Sequence, residues 1–263
     1  MTLSLCALAL MAGSCQPTRS SPPLRVLFVG NSLVYYNDLP ARFATLHAVA
    51  HPGQSADVDM LVVGGGRLRQ RLDDGVLASI LSAQRFDVVV LQDVGGWPLC
   101  PPHHAECEDA PRALRDASML VRAHRARPVW YATWQTVPAA QAALSAAVHE
   151  VASAQGIDTA DVGAALQALD VTTTGAALRA DGHPTQIGTW LAAASVLATL
   201  DHASLPASAP PRSCGFAWEG SGIHADRLAS QYPRPPADCQ TLGATQWAAI
   251  RAAVLEAPPR AGG

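Results

Sequence analysis

Residues 25–33 read Arg-Val-Leu-Phe-Val-Gly-Asn-Ser-Leu. From Arg25 to Val29 the run is apolar after its first residue, and Gly30 ends it. A run this short and continuous, closed by glycine, reads as a strand buried on both faces. Such strands belong to parallel sheets, so a covering helix should follow. Leu39 to Ala50 supplies one, with Pro40 in its first turn.

The alternation continues downstream. Asp57 to Val63 (DVDMLVV) predicts a second strand, closed by Gly64-Gly65-Gly66, and Leu68 to Ser82 a helix. Asp87 to Leu91 (DVVVL) is the clearest strand in the chain. A helix over Arg112–Arg125, a strand over Pro128–Ala132 (PVWYA) and a helix over Ala139–Gln155 come next. A short fifth strand falls within Ile157–Val162, and Thr185–Leu200 is the last core helix. The expected fold is therefore α/β, with a central parallel sheet of about five strands between helical layers. One domain is expected over residues 24–263. Residues 202–242, rich in Pro, Ser and Gly, predict an irregular excursion before a terminal helix at Ala244–Glu256.

With 263 residues, 49% hydrophobic and 15% charged, the chain can bury one sizeable core and is not of disordered composition. A net charge of -3, without basic runs interleaved with aromatics, argues against a nucleic-acid partner.

The N-terminus predicts export. Leu3 to Met11 is an apolar run of signal-peptide length, too short to span a bilayer. Ala12-Gly13-Ser14 and then Cys15 resemble a bacterial lipoprotein signal. Residues 1–14 would be removed, Cys15 lipidated, and residues 16–23 (QPTRSSPP) left as a tether. The membrane would be met only through that anchor; plain secretion is the alternative. Cys100, Cys107, Cys214 and Cys239 form two sequence-local pairs, which suits an oxidising compartment. Four cysteines allow three connectivities, and proximity predicts Cys100–Cys107 and Cys214–Cys239. A zinc site is the rival, without C-x-x-C spacing to support it.

In open α/β sheets, ligands bind at the carboxyl ends of the strands, so the residues just after each strand carry the chemistry. Ser32 follows the first strand, where its N–H, at a helix start, can donate to an oxyanion. A capping serine is the plainer reading. Gly64–Gly66 let backbone approach a ligand. At the third strand end, Gln92 carries an amide toward the same mouth, and Asp93 suits a structural loop partner. Arg179-Ala180-Asp181-Gly182-His183-Pro184 sets an acid two residues before a histidine, which suits a general base and its orienting group.

These blocks, with Ala132-Thr133-Trp134 at the fourth strand end, stand in the order of the SGNH (GDSL-type) hydrolases. From about Leu24 to Leu200 the chain resembles that superfamily, and most of all its Gly-Asn-Ser branch. The resemblance implies a flavodoxin-like, three-layer α/β/α fold and ester hydrolysis without metal or cofactor. Ser32 would be the nucleophile, His183 the base and Asp181 its orienting acid, with the N–H groups of Ser32 and Gly65 as oxyanion donors. Three departures stand out. Asn31 replaces the usual aspartate. The third block lacks the family's asparagine, leaving Gln92 as the nearest amide donor. Asp181 precedes His183 by two residues, not three.

The expected substrate is a small or carbohydrate-linked ester, O-acetyl included, turned over by a monomer. The alternatives are a glycan-binding surface lipoprotein on a hydrolase fold, and a lipase or phospholipase. Weaker candidates remain. His47 and His51, one helical turn apart, are metal-ligand types without a carboxylate in the pattern. His103, His104 and Glu106 read best as a disulfide-closed surface loop. Trp97 and Trp134 are pocket walls or core.

Overall fold

The computed structural model describes residues 21–95, 105–218, 223 and 226–257, without the side chains of 105–108. The predicted signal, Cys15, Trp97, His103, His104, Glu106 and the Cys100–Cys107 pairing lie outside these residues and side chains. Among the described residues no helix is long and apolar enough to cross a membrane.

Five strands form one parallel sheet: β1 (Leu24–Gly30), β2 (Ala56–Val62), β3 (Val88–Leu91), β4 (Arg127–Ala132) and β5 (Asp158–Asp161). Their order is β2-β1-β3-β4-β5, and every pairing is parallel. This is the doubly wound, flavodoxin-like order. The chain leaves β1 for one neighbour and later returns on its other side, so the end of β1 is the switch point where a crevice opens.

The strand residues alternate between two cores. Val26 and Phe28 face a cluster with Leu39, Phe43, Trp190 and Leu191, while Leu27 and Val29 face one with Leu77, Leu114, Val121 and Leu144. Both faces of β1 are thus covered, which is why it reads as an unbroken apolar run. The first layer holds α2 (Leu39–Ala50), α9 (Gln186–Leu200) and α10 (Ala244–Glu256); the second holds α4 (Val76–Ala83), α5 (Ala105–Ala123) and α6 (Pro138–Ala154). Short helices α1 (Ser32–Tyr35), α3 (Leu68–Asp73), α7 (Val162–Ala168) and α8 (Val171–Thr174) lie in the connections.

Two expectations are corrected. The single helix expected over Leu68–Ser82 is two, because Gly75 takes φ +69 and breaks the hydrogen-bond ladder. The excursion at 202–242 is also more ordered than its composition suggests. Within it, β6 (Ser213–Phe216) and β7 (Ala237–Gln240) form an antiparallel hairpin, with Cys214 opposite Cys239 and the two disulfide-bonded. Fully buried Arg42 of α2 holds the hairpin, donating to the carbonyls of Ser213 at 2.8 Å and Asp238 at 3.2 Å. Asp38, the cap of α2, accepts from the Phe216 N–H at 2.8 Å.

Candidate active site

The site starts at the turn after β1. Asn31 caps α1, its Oδ1 accepting from the Leu33 N–H at 3.1 Å. Its Nδ2 donates to the Gly66 carbonyl at 3.1 Å. One side chain therefore fixes the turn that carries Ser32 and ties it to the glycine turn after β2. Ser32 follows as the first residue of α1, half-buried. The chain then turns through Asn37 and Asp38, both left-handed at φ +54 and +55, a region these residue types tolerate.

Gln92 sits beneath this turn. Its side chain is fully buried; Oε1 accepts the Asn31 N–H at 2.9 Å and Nε2 donates to the Asp93 carbonyl. The expectation that Gln92 is an oxyanion donor is corrected on this ground: its amide is committed below the turn. Gly30 is glycine for the same reason, since a Cβ there would meet Gln92 Oε1 at 2.3 Å. Asp93 is the loop partner its position suggested, accepting from the Leu68 N–H at 3.1 Å and the Val94 N–H at 2.8 Å. Burial pushes its carboxyl above the ordinary range despite those bonds.

The second half of the site arrives on the loop before α9. Arg179 N–H donates to the His183 carbonyl at 2.8 Å, and Leu178 pairs with Pro184. Two side chains hold the loop from outside. Asn37 Nδ2 donates to the Pro184 carbonyl at 3.0 Å, and Trp134 Nε1 donates to the Gly182 carbonyl at 3.2 Å. Trp134, 9% exposed, is thus both core and brace.

This scaffold brings His183 Nε2 to 2.9 Å from Ser32 Oγ, across 151 residues of chain. On the other nitrogen, Nδ1 lies 3.3 Å from Asp181 Oδ2, within ion-pair reach. The approach is poorly aligned, and Nδ1 has no hydrogen-bond partner among the described residues. Asp181 is 53% exposed, and its Oδ1 accepts the His183 backbone N–H at 3.1 Å. That backbone bond, above all, holds its carboxyl below the ordinary range. Gly65 is exposed in the turn that Asn31 ties down.

The Tyr36 ring stacks on the His183 imidazole, centroids 4.2 Å apart and planes 13° from parallel. Sequence reading missed Tyr36 and Asn37, and no motif signal marks either. The structure does not add His47 and His51 to this site. Their rings lie 4.5 Å apart and tilted by 38° at the C-terminal end of α2, with His51 Nε2 2.9 Å from Asp201 Oδ2. Among the described residues no group of three or more His, Cys, Asp or Glu is placed to hold a metal ion.

At the switch point of the doubly wound sheet the structure therefore brings together a serine, a histidine at hydrogen-bond distance and a loop carboxylate, the residue types of a Ser-His-Asp constellation. Neither a family model nor a curated protein sequence matches this chain. Solved structures do. A protein assigned to the SGNH hydrolases, from Slackia heliotrinireducens, is 26% identical with a TM-score of 0.56, over 68% of this chain and 99% of its own. TesA is 20% identical (TM-score 0.51), over 68% of this chain and 98% of its own. An acetyl-xylooligosaccharide esterase, the Axe2 W190I mutant from Geobacillus stearothermophilus, is 16% identical (TM-score 0.52), over 69% and 95%. By its fold the chain is a member of the SGNH hydrolase superfamily.

Proposed function

We propose that the chain is a serine ester hydrolase acting on small or carbohydrate-linked esters, O-acetyl groups among them. The observation that carries this reading is the 2.9 Å contact between Ser32 Oγ and His183 Nε2. Ser32 Oγ would attack the acyl carbonyl while His183 takes its proton. His183 would then protonate the leaving alcohol, and a water activated by the same imidazole would release the acid. The N–H groups of Ser32 and Gly65 would receive the oxyanion.

With Gln92 committed to Asn31 and Asp93, the side-chain donor expected from the family resemblance is not supplied by Gln92. One such donor is worth about 100- to 1,000-fold in rate, so slow turnover is expected. The acyl-sugar preference draws on the acetyl esterases among the fold relatives, which share the fold at low identity. Export belongs to the same proposal, and the Cys214–Cys239 disulfide supports an oxidising compartment.

The test is a panel of acetyl, butyryl and long-chain esters with wild type and Ser32→Ala side by side, plus a fluorophosphonate probe. Short-chain turnover lost in Ser32→Ala, with the probe bonded to Ser32, is the expected result. Equal turnover by both proteins, or no adduct, removes the reading. Preference for long chains turns it toward a lipase.

A further inference from the structure

A histidine base needs its ring held in one plane, with one nitrogen aimed at the serine. In a Ser-His-Asp triad a buried carboxylate does this by accepting from Nδ1. Here the carboxylate is half exposed, water competes for it, and its approach to Nδ1 is misaligned. Something else must hold the ring. We infer that Tyr36 is a positioning residue that holds the His183 imidazole by stacking, in place of a well-aligned buried carboxylate; this rests on the serine hydrolase reading above.

The geometry is specific. At 4.2 Å and 13° the two rings lie face to face. Rotating the imidazole about its Cβ–Cγ bond would drive its edge into the tyrosine face or pull Nε2 away from Ser32 Oγ. The platform is itself fixed to the nucleophile. Tyr36 closes the short helix that Ser32 opens, and its N–H donates to the Ser32 carbonyl at 3.0 Å. Platform and nucleophile therefore move as one unit. The loop that carries the base grips the same ring a second time, with the Arg179 guanidinium 5.4 Å from the ring centroid. Stacking also acts during the reaction. As Ser32 Oγ bonds to the acyl carbon its proton passes to Nε2, and the imidazolium formed is a cation over an aromatic face. That attraction is stronger in the transition state than in the ground state, so it appears in kcat.

The experiment measures kcat and KM for p-nitrophenyl acetate with the full chain and its Tyr36→Leu, Tyr36→Phe and Tyr36→Trp variants. Urea midpoints and far-UV circular dichroism check that each is folded. Tyr36→Leu should lower kcat about 5- to 30-fold with KM within about twofold of wild type. Phe and Trp keep an aromatic face and should restore kcat to within about threefold. If Tyr36→Leu does not fold, Tyr36→Gln takes its place with the same expected loss. Unchanged kcat in the Leu or Gln variant overturns the inference. So does a rise in KM at constant kcat, which would make Tyr36 a substrate wall. A loss in Phe as large as in Leu also overturns it, because the hydroxyl would then be the acting group. Ser32→Ala separates the two readings. If it retains turnover, the serine hydrolase reading fails and takes this inference with it; if it is inactive while Tyr36→Leu matches wild type, only the inference fails.

Discussion

Two of the histidine–aspartate pairs among the described residues have similar distances and different characters. His183 Nδ1 lies 3.3 Å from Asp181, and His149 Nε2 lies 3.0 Å from Asp161. The second pair has the better hydrogen bond and a fully buried carboxylate. Burial alone would push the Asp161 carboxyl up; hydrogen bonds from His149, the Ala164 N–H and Ser145 outweigh it and bring it below the ordinary range. By pair geometry alone, His149–Asp161 would be taken for the catalytic dyad. The difference lies on the other side of each imidazole. His183 turns its second nitrogen to Ser32 Oγ, whereas the hydroxyl near His149, Ser145, bonds to Asp161 itself and accepts from Gln141 Nε2 at 2.9 Å. A carboxylate beside a histidine builds a strut as readily as a catalytic base. What distinguishes the proposed site is a hydroxyl held by the imidazole's other nitrogen.

The contrast breaks most plainly by substitution on both sides. Ser32→Ala or His183→Ala should cut ester turnover by about 10³-fold or more at unchanged stability, since these residues act as a unit. His149→Ala should leave turnover within about tenfold, and comparable losses at both histidines would erase the distinction. In urea titration the same His149→Ala protein should be less stable by about 1.5–3 kcal/mol, because the buried Asp161 carboxylate loses one of its hydrogen bonds.

Asp181→Asn sharpens the comparison. A buried triad aspartate is worth about 10⁴-fold in kcat, but this one is exposed and misaligned, so about tenfold is expected. A loss near 10⁴-fold would mean that Asp181 aligns fully when substrate binds. The smallest effect is in acid. A carboxyl held low in the folded state stabilises above its unfolded value of about 4 and loses that contribution as pH falls through the folded value. From about pH 5 to about pH 3, the wild-type urea midpoint should therefore fall more steeply than that of Asp161→Asn. Equal slopes would remove Asp161 from the acid response.

Much of this was legible in the chain. Apolar runs marked β1 and β3, because strands covered on both faces leave no room for polar residues, and glycines closed β1 and β2. Ser32 and His183 could be named because each follows a sheet element or opens a helix, where short polar residues stand out. Other features carried no such mark. Gly75 splits a helix within an otherwise good helical pattern. The hairpin at Cys214 and Cys239 depends on Arg42, far away in sequence. Gln92 sits in the right block for an oxyanion donor, yet Gly30 leaves a gap that draws its side chain under the turn.

The chain alone was enough for the α/β class with its central parallel sheet, for the strand ends at which ligands bind, and for picking out Ser32 and His183. These follow from local patterns: periodicity, glycine punctuation and the residue types that open helices. Packing settles which aspartate–histidine pair faces Ser32, that Gln92 is a brace, and that Tyr36 lies against His183. Each is a question of direction in space, set by how segments up to 151 residues apart pack, and no local pattern encodes it.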